Sequence, residues 1–120
     1  MKILVIVSES PWGSSLGVTA LRFVEAVIDG GDTVPAIFFH EEGVYHAQAG
    51  SSNEAGTPDL TAEWYGISQR APVRLLLCPA SSSRRLPEDM LDRLHAMGFE
   101  EAGLVQLLEL ADQADRVVTL

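Results

Sequence analysis

Apolar residues follow two rhythms along this chain. In some places they form short unbroken runs; in others they recur at three- and four-residue steps. The first run is Ile3-Leu4-Val5-Ile6-Val7, β-branched and without alternation, the pattern of a strand covered on both faces of a parallel sheet. Residues 32–39 (DTVPAIFF) and 73–78 (VRLLLC) are further strands of this kind, and residues 116–120 (RVVTL) predict a last one. Pro35 inside the second run points to an edge position or a bulge.

Between the runs the helical rhythm takes over. Leu16, Ala20, Phe23, Val24, Val27 and Ile28 share one stripe, and Gly30-Gly31 ends that helix. Asp59 predicts the N-cap of a second helix through Arg70, with Leu60, Trp64 and Ile67 on its inner side and Pro72 beyond it. Residues 42–47 and 81–85 suggest short helical turns. A helix is expected to start near Pro87, with Glu88-Asp89 in its first turn, and to run through Leu91, Leu94 and His95 to Gly98. Residues 103–114 predict a final helix through Leu104, Leu107, Leu108 and Ala111. Residues 49–57, polar and rich in glycine and serine, are expected to be mobile. Strand and helix alternate throughout, which implies one doubly wound α/β domain over residues 1–120 with four clear strands.

Composition narrows the possibilities. The 120 residues suit one domain. Seventeen acidic against eight basic residues give a formal charge of −9, and no basic stripe interrupts it. Nucleic acid and anionic membrane are therefore poor partners. The opening apolar run is far shorter than the ~20 residues that span a bilayer, and nothing resembles a signal peptide. A soluble, cytoplasmic protein is expected. A single cysteine excludes an internal disulfide framework and a cysteine-cluster metal site.

In doubly wound sheets the reactive edge lies at the carboxyl ends of the strands, where the strand order switches. Three segments are expected there: the turn at 8–15, the loop at 40–46, and Cys78 with the residues after it. Cys78 has two open readings. It is a core residue ending the run Leu75-Leu76-Leu77, or it is a nucleophile whose thiolate is favoured by Arg84, Arg85, three serines and the N–H groups of a helical turn starting at Pro79 or Ala80. The turn at 8–15 offers a weaker alternative, a phosphate cradle for flavin or nucleotide, but it has no G-x-G-x-x-G and no P-loop lysine. His40, His46, Glu41 and Glu42 fit no zinc spacing and read as a polar loop face. Tyr45 is a candidate lid or interface residue. Trp12 is a candidate interface anchor, Trp64 belongs to the core, and His95 to the surface.

Several segments together resemble a family, the DsrE/TusD group of intracellular sulfur-transfer proteins. They are the opening strand through Val7, the run Phe38-Phe39-His40-Glu41-Glu42-Gly43-Val44-Tyr45-His46-Ala47, Cys78 with Ala80 and Arg84-Arg85, and the ending Asp115-Arg116-Val117-Val118-Thr119-Leu120. The resemblance spans the chain, although Leu86-Pro87 stands where related chains tend to carry glycine. It implies a five-stranded, mostly parallel sheet between helices, with Gly98-Phe99-Glu100 as the candidate fourth strand.

It also implies that Cys78 accepts and passes on sulfur as a persulfide, in sulfur oxidation or transfer-RNA thiolation. Sulfur-donor and sulfur-acceptor carrier proteins would be the partners, and the chain would sit in a homo- or hetero-oligomer, a hexamer in many members. No metal and no organic cofactor is needed, because the sulfur travels covalently. Arg84 and Arg85 are the candidates for holding its anion. Ser10, Trp12, Glu42, Tyr45 and His46 are the candidates for lining the pocket or meeting a partner. The rival expectation is a non-catalytic structural subunit or small-ligand module using the same sheet edge.

Overall fold

A computed structural model describes residues 1–13, 15–48 and 59–120; the stretch expected to be mobile, residues 49–57, lies outside them. Five strands form one sheet: β1 (Ile3–Val7), β2 (Ala36–Phe39), β3 (Arg74–Leu77), β4 (Phe99–Glu101) and β5 (Arg116–Thr119), in the order β4-β3-β2-β1-β5. Every neighbouring pair is parallel. Residues 98–100 do supply the fourth strand, shifted by one residue, and it pairs with β3 at one edge of the sheet.

The helices are α1 (Leu16–Asp29), α2 (Leu60–Arg70), α3 (Pro79–Arg85), α4 (Leu91–Ala96) and α5 (Leu104–Gln113). Two 3-10 segments, Glu41–Ala47 and Glu88–Met90, complete the described elements. Gly31 takes φ +90° after α1 and bonds back to the Ile28 carbonyl, a backbone conformation that glycine adopts without a Cβ penalty. Asp59 caps α2 by accepting a hydrogen bond from the Ala62 N–H at 3.2 Å.

The two faces of the sheet bury two apolar clusters. On one side Val5, Val7, Ile37, Phe39, Leu75 and Leu77 meet Ala20, Leu21 and Val24 of α1 and Leu60, Trp64 and Ile67 of α2. Phe39 lies at the centre, its ring within 6 Å of the rings of Trp64 and Phe99. On the other side Leu4, Ala36, Phe38 and Leu76 form a smaller cluster with Ala102, covered by Leu107, Leu110 and Ala111 of α5. Helices thus cover both faces, as a sheet of unbroken apolar strands requires.

One expectation is corrected here. Pro35 does not put β2 at an edge, because β2 sits between β3 and β1. The proline lies just before the strand, where its missing N–H breaks no ladder bond, and its carbonyl still accepts from the Arg74 N–H. The strand order reverses between β1 and β5, so the switch point lies beside Ser8 and Leu120. Cys78 stands on the same edge, two strands away.

Candidate functional site

The carboxyl ends of β1, β2 and β3 run directly into Ser8, His40 and Cys78. Past β2 the ladder continues for one more step: the His40 N–H donates to the Val7 carbonyl at 3.1 Å, and the Cys78 N–H to the Phe39 carbonyl at 3.0 Å. Cys78 is half-buried, with an extended backbone, and flanks the first turn of α3 while Pro79 opens the helix. Its carbonyl accepts the first helical bond, from the Ser82 N–H at 2.9 Å. Its side chain packs against the smaller apolar cluster. Cys78 is therefore neither sealed in the core nor fully in solvent.

The 3-10 segment after β2 is pressed onto this edge. A Cβ at Gly43 would run into the Val7 carbonyl, so only glycine lets the loop backbone close over the end of β1. Glu41, at φ +52°, is the one described non-glycine residue with positive φ. Its N–H donates to Ser81 Oγ at 2.8 Å, and its carboxylate pairs with Arg85 Nη2 at 3.0 Å. Both contacts tie the loop to α3.

That pairing gives Arg85 a partner that its place in the sequence does not announce. Arg84 and Arg85 occupy the last turn of α3 and Cys78 precedes its first. At ~1.5 Å of rise per residue their backbone positions lie about 9 and 10.5 Å from that of Cys78 along the axis. Arg85 holds Glu41 through Nη2, and Arg84 is exposed.

His46 is also corrected. It faces neither pocket nor partner: it has no exposed surface, and its ring packs 5.5 Å from that of Phe39. Nδ1 accepts the indole N–H of Trp64 at 3.0 Å, and Nε2 donates to the Glu9 carbonyl at 3.1 Å. Burial pulls its pKa from 6.5 to about 4, against an opposing pull from the Glu9 carbonyl. The ring is neutral and joins the turn after β1 to α2.

The remaining candidates lie nearer the surface. The rings of Trp12 and Tyr45 meet at 5.1 Å, and Trp12 is 41% exposed. Ser10 Oγ accepts the Trp12 N–H and donates to its carbonyl, so this hydroxyl is spent inside the turn proposed as a phosphate cradle. Glu42 is exposed. A cavity of about 400 Å³ lies along α3, lined by Pro79, Ser82, Ser83, Leu86, Leu94 and Glu101 among others. It starts one residue beyond Cys78.

Sequence reasoning missed the row of Ser8, His40 and Cys78. Ser8 Oγ and His40 Nε2 are 2.7 Å apart. The signal was present, since each residue directly follows its strand, but it becomes legible only once β1, β2 and β3 are known to be neighbours in register.

An all-parallel sheet with this strand order and helices on both faces defines a small doubly wound α/β protein, with its one cysteine at the carboxyl edge. The chain belongs to the DsrE/DsrF-like family, whose pattern matches residues 1–120. It is 35% identical to the protein named sulfurtransferase TusD homolog of Vibrio parahaemolyticus, with 95% of this chain and 93% of that protein aligned. It is 30% identical to the sulfurtransferase TusD of Salmonella newport, with 98% of each aligned. The crystal structure of the ychN protein from E. coli superposes with a TM-score of 0.81 over 100% of this chain and 99% of that one, at 21% identity, a likeness of fold. Among the described residues no helix is long and apolar enough to cross a membrane.

Proposed function

We propose that the chain is a sulfurtransferase of the sulfur-relay type, which receives sulfane sulfur on Cys78 as a persulfide and hands it to a second protein thiol. The observation that carries this reading is the position of Cys78, half-buried at the carboxyl edge of β3 and at the start of α3, in a chain whose relatives are named sulfurtransferases. A sulfur within reach of solvent can be attacked and can attack.

The chemistry needs no metal or organic cofactor, since the sulfur is held by a covalent bond throughout. Thiol exchange demands close contact between two proteins, so a donor carrier and an acceptor carrier are the partners. An oligomer of this chain with itself or with related subunits fits the apolar residues Leu104, Val105 and Leu108, which α5 leaves exposed. A reducing cytoplasm suits a protein whose single cysteine must stay free of disulfides.

Intact mass measurement after mixing with a sulfane-sulfur donor tests the reading. The protein should gain one sulfur atom, lose it on reduction, and gain none as Cys78→Ser. If the wild type stays unloaded, alone and with candidate donor carriers, under conditions that load a known carrier, the chain is a structural subunit or a binding module instead.

A further inference from the structure

The register Val7–Phe39–Leu77 across β1, β2 and β3 places the next residues, Ser8, His40 and Cys78, side by side on three adjacent strands. Side chains alternate along a strand. Ser8, His40 and Cys78 therefore share a face with Ile6, Phe38 and Leu76, two positions earlier, and Cys78 does pack against that cluster. Neighbouring strands lie about 4.8 Å apart, which makes His40 the adjacent residue to Cys78 on this face. Ser8 Oγ engages His40 Nε2 at 2.7 Å, and the Phe38 ring lies 6.1 Å from the imidazole. Both contacts fix the ring. Nδ1 has no hydrogen bond among the described residues, so one ring nitrogen is committed to Ser8 and the other is open for proton traffic.

We propose that His40 is the proton-transfer group for Cys78 and that Ser8 is the residue that positions it; the proposal rests on the reading of Cys78 as a persulfide carrier. His40 takes the proton of the Cys78 thiol. The thiolate attacks the outer sulfur of a donor persulfide, R–S–SH, so that a bond from Cys78 to that sulfur forms as the donor's S–S bond breaks. The donor departs as a thiolate and takes the proton back from the imidazolium. Cys78 ends as a persulfide and the donor as a thiol, with no oxidant or reductant consumed. Imidazole suits the task because it gains and loses a proton near neutral pH. The other ionisable groups around it are Cys78 on β3, Glu9 next to Ser8, and the Glu41–Arg85 pair beyond β2.

The test uses the full chain and two readouts: the rate of sulfur loading by intact mass, and the pH profile of Cys78 alkylation by iodoacetamide. His40→Gln should slow loading by about tenfold or more and change the pH profile of alkylation. Ser8→Ala should give a smaller loss in the same direction, and Ser8→Thr should restore it. A histidine that only bonded Ser8 would lower the melting temperature and leave both readouts alone. Folded variants with wild-type loading and alkylation therefore overturn the proposal and leave the persulfide carrier standing. A wild type that never loads, with an alkylation profile that still responds to His40→Gln, means that the carrier reading fails and the coupling of His40 to Cys78 survives. If His40→Gln does not fold, Ser8→Ala decides, and unchanged rates there overturn the proposal.

Discussion

Trp64 donates its indole N–H to Nδ1 of His46 across 3.0 Å, and neither side chain has any exposed surface. The imidazole is thereby committed to a single state. Nδ1 must accept from the indole while Nε2 donates to the Glu9 carbonyl, which only the neutral ring with its proton on Nε2 can do. Protonating Nδ1 would set a donor against a donor in a dry site.

This makes stability depend on pH. The folded pKa of His46 is about 4, against 6.5 for the free side chain. Between these values the unfolded chain binds the proton and the folded one does not. The contribution of His46 is therefore intact above pH 6.5 and declines as pH falls toward 4, below which no further loss from this group occurs. The loss amounts to about 2 kcal/mol between pH 7 and pH 5. Urea unfolding at the two pH values reads it directly, and His46→Gln should flatten that part of the profile.

Trp64→Phe keeps the aromatic packing and removes the indole N–H. The Nδ1 acceptor of His46 is then buried without a partner, at a cost of about 1–3 kcal/mol. Chemical denaturation followed by far-UV circular dichroism measures this, and the melting temperature should fall with it.

Gly43 and Gly66 should respond oppositely to alanine. The methyl group of Gly43→Ala would meet the Val7 carbonyl, which belongs to a central strand and cannot retreat. The loop would have to lift, with a loss of about 2 kcal/mol or more. Gly66 lies exposed within α2 with no atom within 4 Å of a built Cβ. Gly66→Ala should stabilise by roughly 0.5–1 kcal/mol through helix propensity. Equilibrium unfolding of the two variants, side by side, separates a steric role from a conformational one.

The contrast shows which features could be read in advance. The unbroken runs at Ile3–Val7 and Arg74–Leu77 announced buried parallel strands, because a strand covered on both faces has no polar side to display. Asp59 as N-cap and Gly31 as helix stop were equally legible, being local chemistry. Pro35 misled, since a proline signals missing ladder bonds without saying whether it lies in the strand or just before it. His46 misled more. A histidine in a run of polar residues looks exposed, and only the approach of Trp64, eighteen positions away, provides the partner that allows its burial. The row from Ser8 to Cys78 depends on strand order, which hydrophobic periodicity does not encode.

Arg84 and Arg85 supply the last prediction. Their closeness to Cys78 in sequence suggested a cationic hold on its sulfur, but α3 carries both to its far end, where Arg85 pairs with Glu41. Arg85→Ala breaks that pair and frees a loop residue whose backbone sits at φ +52°, so it should lower the melting temperature. The pair is partly solvent-exposed, and screening keeps its direct contribution small, on the order of 1 kcal/mol or less. Arg84→Ala should change little. Neither substitution should alter the rate at which Cys78 is alkylated at neutral pH by more than about twofold, because Arg85 is engaged by Glu41 and Arg84 is exposed to solvent, where its field is screened. Alkylation rates and melting temperatures of the two variants would decide the matter: a tenfold slowing by Arg84→Ala or Arg85→Ala, with the fold intact, would return the arginines to the cysteine.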